Sequence, residues 1–200
     1  MPFTLRSLPR LLAGSAAGAL ALTAAMSCGA VGSAIAATCP PPPTSTQAFS
    51  WDNDSSYYVM TTGGTFEAGA PAWTLSGGAA PIADQAPDPL TASTSAGALY
   101  LPAGSSATSP CVTAPQIAGI VRFYARQVGA SGGGLRVEVL VKGGVYQAGT
   151  VSATTAWAAT DRLTTDAPYY KGAVAYQVRL TAVGGSFAAD DVYIDPYRSR

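Results

Sequence analysis

The sequence predicts an all-β fold, and two features support this prediction. After residue 48, no stretch of helical length combines an amphipathic period with capping residues. Short runs rich in Val, Tyr, Thr and Leu are instead separated by Gly-Gly and Pro turn signals. Many short strands punctuated in this way are typical of a β-sandwich or a β-barrel. The predicted strands span residues 57–61, 98–101, 120–128, 135–141, 145–151, 174–183 and 191–194.

Three of these strands alternate between apolar and polar residues, which indicates one buried face and one solvated face. The polar positions of the strands at 120–128, 135–141 and 174–183 are Arg122, Tyr124, Arg126, Arg136, Glu138, Gln177 and Arg179. Residues 132–134 are all glycine, and we interpret them as a hairpin turn between the first two strands. In that arrangement Tyr124, Arg126 and Glu138 share one exposed surface.

The first 37 residues have the composition of a secretory signal peptide. Arg6 and Arg10 precede an uncharged apolar stretch at residues 11–30, and Ala34-Ile35-Ala36 matches a small-x-small cleavage pattern. A transmembrane anchor is the alternative, but glycines interrupt the stretch and it is only modestly hydrophobic. We therefore expect a secreted protein that is cleaved near Ala36 and that has no membrane contact after cleavage.

Cleavage there leaves Cys39 and Cys111 of the three cysteines in the sequence. An even number of cysteines in an exported chain favours a disulfide bond, with free buried thiols as the alternative. The loss of Arg6 and Arg10 from 11 basic residues, against 11 acidic ones, leaves a formal net charge of −2. We predict a proline-rich lead-in at residues 38–47 and a single β domain at residues 48–200.

The composition excludes several classes of function. The 200 residues include no histidine, which removes Ser-His-Asp triads, Cys-His nucleophiles and histidine metal sites. Equal numbers of basic and acidic residues argue against a nucleic-acid partner. The sequence contains no phosphate-binding loop, zinc-binding cysteine set or nucleophile elbow. Binding and structural roles are therefore the leading classes.

Two short motifs near the ends of the predicted domain carry a family resemblance. The first is Gly63-Gly64-Thr65-Phe66-Glu67, followed by Trp73, and the second is Ala189-Asp190-Asp191-Val192-Tyr193-Ile194-Asp195-Pro196. With both motifs the sequence resembles carbohydrate-binding modules of the galactose-binding-like jelly-roll fold, in particular secreted single-domain jelly-roll proteins of actinobacteria. The resemblance covers most of residues 48–200 and implies an antiparallel jelly-roll β-sandwich.

The resemblance also implies a structural calcium ion near the chain ends. Calcium takes about six to eight oxygen ligands, many of them carbonyl groups. The expected ligands are Glu67, Asp190, Asp191 and the carbonyl groups of Gly64 and Thr65. Period-two geometry places Asp190 on the side of Val192 and Ile194, toward the core, where an unpaired carboxylate is costly. An arginine or a cluster of N–H groups is the alternative partner for Asp190.

The leading functional hypothesis is binding of a polysaccharide or other glycan, because aromatic and polar side chains on a sheet face suit that ligand class. The candidate residues are Arg122, Tyr124, Arg126, Glu138 and Gln177, with Tyr146 and Trp157 from neighbouring strands or loops. A solvated face with Arg–Glu cross-strand pairs is the plainer alternative. A structural or partner-binding cell-envelope protein is the second hypothesis.

A polysaccharide-acting enzyme is the least favoured hypothesis. Glycosidases need two carboxyl groups in separate roles. The only glutamates are Glu67, which belongs to the first motif, and Glu138, which neighbours Arg136 in its strand. A lyase that uses tyrosine with arginine or lysine is the alternative that needs no histidine. We expect a non-catalytic module.

Overall fold

The computed structural model describes residues 39–90, 93–114, 119–129, 132–168, 170, 172–195 and 197. These residues form thirteen β-strands, one 3-10 helix at Ser50–Asp52 and no α-helix. None of them belongs to a helix long and apolar enough to cross a membrane. Residues 38–200 make one compact unit, whereas the predicted signal peptide at residues 1–37 lies outside the described residues. The all-β prediction is confirmed.

The strands, numbered in chain order, pair antiparallel in two sheets. The seven-stranded sheet has the order β10-β7-β13-β4-β3, with β1 beside β13 and β11 beside β7. Its members are β1 (Val59–Met60), β3 (Ala80–Ala83), β4 (Gly97–Leu101), β7 (Ile120–Val128), β10 (Ala158–Ala159), β11 (Leu163–Thr164) and β13 (Ser186–Asp195). The first and last strands are thus neighbours, as a jelly-roll sandwich requires.

The six-stranded sheet has the order β2-β5-β12-β8-β9, with β6 beside β12. Its members are β2 (Thr74–Ser76), β5 (Ser106–Thr108), β6 (Val112–Ala114), β8 (Gly134–Val141), β9 (Gly144–Val151) and β12 (Val174–Val183). All seven predicted strands are present in the two sheets, and β7 and β12 have the predicted bounds. The strands that prediction missed have two to four residues each.

The main core lies between the two sheets and takes every second side chain of the long strands. Phe123 of β7, Val137 and Val139 of β8 and Leu180 of β12 are fully buried there. Because the apolar positions recur with period two, each long strand turns one complete row of side chains inward. The predicted alternation is therefore correct for the side that faces the core.

The connection from β7 to β8 crosses from one sheet to the other, so the predicted hairpin at residues 132–134 is wrong. The connection from β12 to β13 crosses between the same two sheets, and the two crossings touch through Gly133 and Gly185. A Cβ atom on Gly133 would collide with the carbonyl oxygen of Val183 and the backbone nitrogen of Gly185. The glycines at this position serve close backbone packing between two crossings.

This crossing overturns the predicted shared surface of Tyr124, Arg126 and Glu138. Tyr124 and Arg126 lie on β7 in the seven-stranded sheet, and Glu138 lies on β8 in the six-stranded sheet. Each points to the outer side of its sheet, because alternating residues such as Phe123 and Val137 occupy the inner side. The three side chains therefore belong to opposite faces of the sandwich.

The outer side of the seven-stranded sheet is covered rather than solvated. Residues 46–58 cross it, and Phe49 and Tyr58 pack with Tyr124 of the sheet in a second hydrophobic cluster. Tyr124 is 4% exposed and Arg122 is 2% exposed, although the alternation predicted that both are solvated. A period-two pattern identifies the side that faces the main core, but it carries no information on a segment that covers the other side.

A β-bulge at Asp191 changes the predicted orientation of Asp190. Asp190 pairs with Tyr124 of β7, and the register shifts immediately after this pair. Asp191 adopts a left-handed conformation, with φ of 49°. Asp190 therefore shares the outer side with Tyr124, whereas Val192 and Ile194 belong to the main core. The prediction that Asp190 points to the same side as Val192 and Ile194 is wrong.

The predicted disulfide bond between Cys39 and Cys111 is confirmed, with a Cα–Cα distance of 5.4 Å. Two hydrogen bonds hold the same region. The carbonyl groups of Cys39 and Pro40 accept hydrogen bonds from the hydroxyl and the backbone N–H of Thr113, at 2.8 and 2.7 Å. The start of the proline-rich lead-in is thus fixed beside β6.

Candidate functional site

An aromatic cleft of about 700 Å³ lies on the outer side of the seven-stranded sheet. It is larger than the two cavities next to β9, which measure about 350 and about 320 Å³. Its described lining consists of Trp51, Tyr124, Trp157, Asp52, Asp88, Pro87, Pro89, Leu90, Ala158 and Ala159. Concave sites of about 300–1,000 Å³ with aromatic walls and a few polar groups are typical of small-ligand sites.

The exposed aromatic residue of the cleft is Trp51, in the 3-10 helix. Phe49, just before it, is fully buried and packs edge-on against Tyr58 and Tyr193, at centroid distances of 5.3 and 5.6 Å. With Phe49 fixed in the second cluster, Trp51 lies outward and is 56% exposed. Its indole ring is nearly parallel to the Tyr124 ring, with centroids 6.4 Å apart and an interplanar angle of 15°. The cleft thus presents the indole of Trp51 to solvent, above a Tyr124 ring that is 4% exposed.

Trp157 forms another aromatic wall, at the residue before β10. Strand β10 pairs with β7 and places Ala159 opposite Tyr124, so Trp157 reaches the same cleft. The guanidinium of Arg126 lies 5.5 Å from the centroid of a Trp157 ring. Asp84 accepts hydrogen bonds from two nitrogen atoms of Arg126, at 2.9 and 2.6 Å. This ion pair holds Arg126 beside Trp157 and commits Arg126 to a structural contact.

Arg122 lies under the covering segment and is committed to contacts within the protein. Its Nη1 and Nη2 donate to Asp54 and Asp52, at 3.0 and 2.6 Å, and its Nε donates to the carbonyl of Thr160, at 3.0 Å. The guanidinium carbon also lies 4.1 Å from the centroid of the Phe49 ring. Arg122 was predicted as a ligand-binding residue, and its contacts instead tie residues 49–54 to the sheet.

Asp54 carries the charge that balances Arg122. It is buried, and it accepts a hydrogen bond of 2.5 Å from the hydroxyl of Tyr58. Burial by itself raises the pKa of Asp54, but hydrogen bonds from Tyr58, Ser56 and Arg122 outweigh burial and hold this pKa at about 2. The Asp54–Arg122 pair is therefore ionised throughout the ordinary pH range. Because Asp52 and Asp54 directly follow Trp51 in the chain, their contacts with Arg122 also hold the segment that carries Trp51.

Three other predicted ligand-binding residues lie away from the aromatic cleft. Glu138 is on the outer side of the six-stranded sheet, where Arg179 and Arg136 contact its carboxylate at 2.8 and 3.6 Å. Gln177 donates to the carbonyl of a neighbouring strand connection, at residue 109. The Tyr146 hydroxyl lies 3.2 Å from that of Tyr170. Of the predicted set, the cleft brings together only Tyr124 and Trp157 among its described lining residues.

Residues from both sequence motifs contact the chain at residues 95–97. Glu67 accepts hydrogen bonds from the backbone N–H groups of Ala96 and Gly97, at 2.8 and 3.3 Å. The hydroxyl of Ser95 donates to Asp190, at 2.6 Å. The first motif also contacts β13 directly, because the carbonyl of Gly64 accepts a hydrogen bond from the backbone of residue 192, at 3.1 Å. Early and late parts of the chain are thus joined here.

Asp190 and Asp191 are both buried, and the backbone N–H of Asp191 donates to the Asp190 carboxylate at 2.8 Å. Burial is the largest cause that raises their pKa values, to about 8 for Asp190 and about 7 for Asp191, and the negative charge of Glu67 adds to both. One oxygen of Asp191, Oδ2, is buried without a hydrogen-bond partner. Among the described residues, no group of three acidic or cysteine side chains is arranged to hold a metal ion. Carbonyl oxygens would have to supply much of the shell of any cation bound at this position.

Sequence reasoning missed Trp51, Asp52, Asp88 and Leu90 as members of a site. The available signal was Trp51 in a polar, turn-forming run, Asp52-Asn53-Asp54-Ser55, because an exposed loop tryptophan has little structural purpose. Trp73, by contrast, is 6% exposed and donates a hydrogen bond from its indole to Thr62, at 3.0 Å.

No protein-family model and no curated protein matches the sequence. Among solved structures, TmCBM61 in complex with β-1,4-galactotriose is similar over 68% of this chain and 96% of its own, at 18% identity and a TM-score of 0.37. A xylan-binding domain from CBM 22 is similar over 72% and 98%, at 18% identity and a TM-score of 0.40. The enzymatically active domain of bacteriophage CBA120 tailspike protein 4 is similar over 66% and 20%, at 16% identity and a TM-score of 0.41. At such scores the ligands and activities of these proteins are not transferred to this chain.

Proposed function

We propose that this protein is a secreted, non-catalytic carbohydrate-binding-like module that holds a glycan in the aromatic cleft. The observation that carries the proposal is Trp51, which is 56% exposed and nearly parallel to Tyr124 in a cleft of about 700 Å³. Exposed aromatic faces stack on the C–H faces of sugar rings, and an apolar surface exposed within a concave cleft is typical of ligand-binding grooves. Trp157 extends the aromatic surface along the cleft.

The non-catalytic part of the proposal is supported by the state of the two glutamates. Glu67 accepts hydrogen bonds from two backbone N–H groups, and Glu138 forms ion pairs with two arginines. Neither lines the aromatic cleft as described. Two carboxylates line the cleft as described, those of Asp52 and Asp88, and Asp52 is held by Arg122 at 2.6 Å. A hydrolase needs an acid and a base on either side of one bond, and the ion pair with Arg122 commits Asp52 to a structural contact.

Export is supported by the disulfide bond. Such bonds persist in oxidising compartments and are rare in reducing ones, and Cys39 is joined to Cys111. The predicted signal peptide at residues 1–37 supplies the matching targeting element. The proposed location is therefore extracellular.

A structural calcium ion is also proposed, held by Glu67, Asp190 and Asp191 with carbonyl groups of Gly64 and Thr65. Two observations support the fit. Asp191 has a buried oxygen without a hydrogen-bond partner. The negative charges of Glu67 and Asp191 also raise the pKa of Asp190, which shows that these carboxylates interact. A bound calcium ion would neutralise these carboxylates and join the first motif to the last strand.

The proposed glycan function is tested by applying the purified protein and two variants to a glycan array. Trp51→Ala removes the exposed wall of the cleft, and Tyr57→Ala removes an aromatic residue of similar exposure, 53%, outside the cleft lining. Binding that is lost in Trp51→Ala and retained in Tyr57→Ala supports the proposal. Equal binding by all three proteins, or no binding to any glycan, contradicts it.

A further inference from the structure

The outer side of the six-stranded sheet carries polar side chains in two regular rows, which we call the polar sheet face. The rows point outward, because alternating residues such as Ala107 and Leu180 belong to the main core. One row consists of Thr74, Thr108, Arg179, Glu138 and Gln147, and the next consists of Ser76, Ser106, Thr181, Arg136 and Thr150. Neighbouring strands lie about 4.8 Å apart, so each row of five spans roughly 19 Å. The polar sheet face is therefore long enough to contact several units of a polymer.

The polar sheet face differs from the aromatic cleft in its chemistry. Six of its ten residues carry a hydroxyl group, one carries an amide, and none is aromatic. Hydroxyl groups both donate and accept hydrogen bonds. The surface thus suits a partner that presents many hydrogen-bonding groups rather than apolar side chains.

The charge of the polar sheet face is positive. The six strands of this sheet contain two arginines, Arg136 and Arg179, and one acidic residue, Glu138, which leaves a formal charge of +1. The three charged residues are neighbours, because Arg179 pairs with Glu138 across the strands and Arg136 precedes Glu138 by two positions on β8. One negative charge on a ligand would balance this group.

Arg136 is the member of this group that keeps hydrogen-bond donors for a ligand. Glu138 accepts a hydrogen bond from Nε of Arg179 at 2.8 Å, whereas its contact with Nε of Arg136 is 3.6 Å, too long for a hydrogen bond. That Nε is buried without a hydrogen-bond partner. The Arg136 side chain is nevertheless 41% exposed, so a carboxylate from outside can reach its guanidinium. Arginine binds carboxylates through two parallel hydrogen bonds.

We propose that the polar sheet face binds a glycan built from uronic acid units. A carboxylate of the glycan pairs with Arg136 and is attracted by Arg179, while the rows of hydroxyl groups bond the hydroxyl groups of the sugar rings. An acidic peptide would supply the charge but not the hydroxyl groups. The inference goes beyond the aromatic cleft and does not rest on it, because the cleft lies on the outer side of the other sheet.

The test is a calorimetric titration of the full protein with two oligosaccharides that differ only in charge. These are a hexamer of α-1,4-linked galacturonic acid and its fully methyl-esterified counterpart. The acidic hexamer is expected to bind about tenfold more tightly than the ester at low salt. Added salt is expected to reduce this preference, because it screens exposed charges. Equal binding of the two hexamers, or binding of neither, overturns the inference.

Matched arginine variants locate the site. Arg136→Gln is expected to weaken binding of the acidic hexamer about tenfold. Arg162→Gln is the control, because Arg162 is 43% exposed and lies beside Asp54 at 3.5 Å, between strands of the other sheet; it is expected to leave binding unchanged. Equal weakening in both variants overturns the inference, as does tighter binding of a hexapeptide of glutamate than of the acidic hexamer.

The Trp51→Ala variant separates this inference from the proposed function of the aromatic cleft. It is expected to bind the acidic hexamer as the parent protein does. Loss of that binding in Trp51→Ala would assign the acidic glycan to the aromatic cleft, which overturns the inference and preserves the proposed function. Retained binding of the acidic hexamer supports the inference even where the glycan array finds no ligand that depends on Trp51.

Discussion

The indole of Trp51 and the phenol of Tyr124 lie nearly parallel, at an angle of 15° with ring centroids 6.4 Å apart. Tyr124 is part of β7, whereas Trp51 belongs to the segment that covers the sheet. The relationship between them therefore depends on how this segment is fixed. Phe49 fixes it by packing and Arg122 fixes it by charge, so the aromatic cleft depends on two buried anchors.

Removal of the charged anchor is expected to destabilise the protein strongly. Arg122→Leu removes the closer of the two arginines beside the buried Asp54, at 3.0 Å against 3.5 Å for Arg162. Breaking a buried ion pair typically costs about 3–5 kcal/mol of unfolding free energy. Arg136→Leu is the matched control, because the Arg136 side chain is 41% exposed and Glu138, its partner at 3.6 Å, keeps Arg179 at 2.8 Å. Its loss is expected to cost about 1 kcal/mol or less. Urea denaturation measures both, and equal losses in the two variants contradict the assigned role of Arg122.

The disulfide bond is expected to stabilise the fold by constraining the unfolded chain. It joins residues 72 positions apart, for which the chain-entropy model gives about 4 kcal/mol. A Cys39→Ser, Cys111→Ser double variant is therefore expected to unfold at lower urea concentration. A reducing agent should destabilise the parent protein and leave the variant unaffected. A parent that is insensitive to reduction disagrees with this expectation.

Calcium removal is expected to lower the melting temperature. An ion that binds only the folded state contributes about 2.7 kcal/mol at a hundredfold excess over its dissociation constant. Asp190→Asn should abolish the difference between calcium and chelator. Asp195→Asn, on the same strand but outside the proposed ligand set, should retain it. Identical melting of the parent protein in calcium and in chelator rules out the proposed ion.

The raised pKa of the buried Asp195 carboxyl group is expected to make the stability of the protein depend on pH. Burial is the main cause that raises its pKa from 3.8 to about 6, although the Tyr197 N–H and Arg162 act in the opposite direction. The folded state therefore holds this proton more tightly than the unfolded state. The contribution of Asp195 to stability is greatest at low pH and is lost as the pH rises from about 4 through about 6.

An Asp195→Asn variant isolates this contribution, because it keeps the shape and an oxygen that accepts the N–H of Tyr197. The variant is expected to be more stable than the parent by about 2–3 kcal/mol at about pH 8, and equal to it below about pH 4. Denaturant titrations at both pH values measure the difference. A variant that is less stable than the parent at the higher pH would show that the carboxylate has a partner that lowers its pKa.

The long strands could be predicted from sequence because their alternation of apolar and polar residues arises from one dominant interaction, the burial of one face against the main core. In β7 and β12 every second residue faces the main core, and the burial of Phe123 or Leu180 outweighs local preferences. Strands such as Thr74–Ser76 and Ser106–Thr108 contain too few residues to display a period. Their pairing is determined by neighbouring strands rather than by their own composition.

The arrangement of the candidate site could not be predicted because it depends on three features without a sequence period. Glycine at position 133 is compatible with a hairpin and with a crossing between sheets, and only the contact with Gly185 distinguishes them. The bulge at Asp191 adds one residue to a strand and reverses the alternation that follows. The cover over Tyr124 comes from Phe49, which lies 75 positions earlier in the chain.

The most direct test of the aromatic cleft as the glycan site is an NMR titration that follows the three indole N–H signals. The protein has three tryptophans: Trp51 and Trp157 line the cleft, whereas Trp73 is buried elsewhere with its N–H bonded to Thr62. Addition of a glycan selected on the array is expected to shift the signals of Trp51 and Trp157 and to leave that of Trp73 in place. Saturable glycan binding with unmoved Trp51 and Trp157 signals would contradict the account.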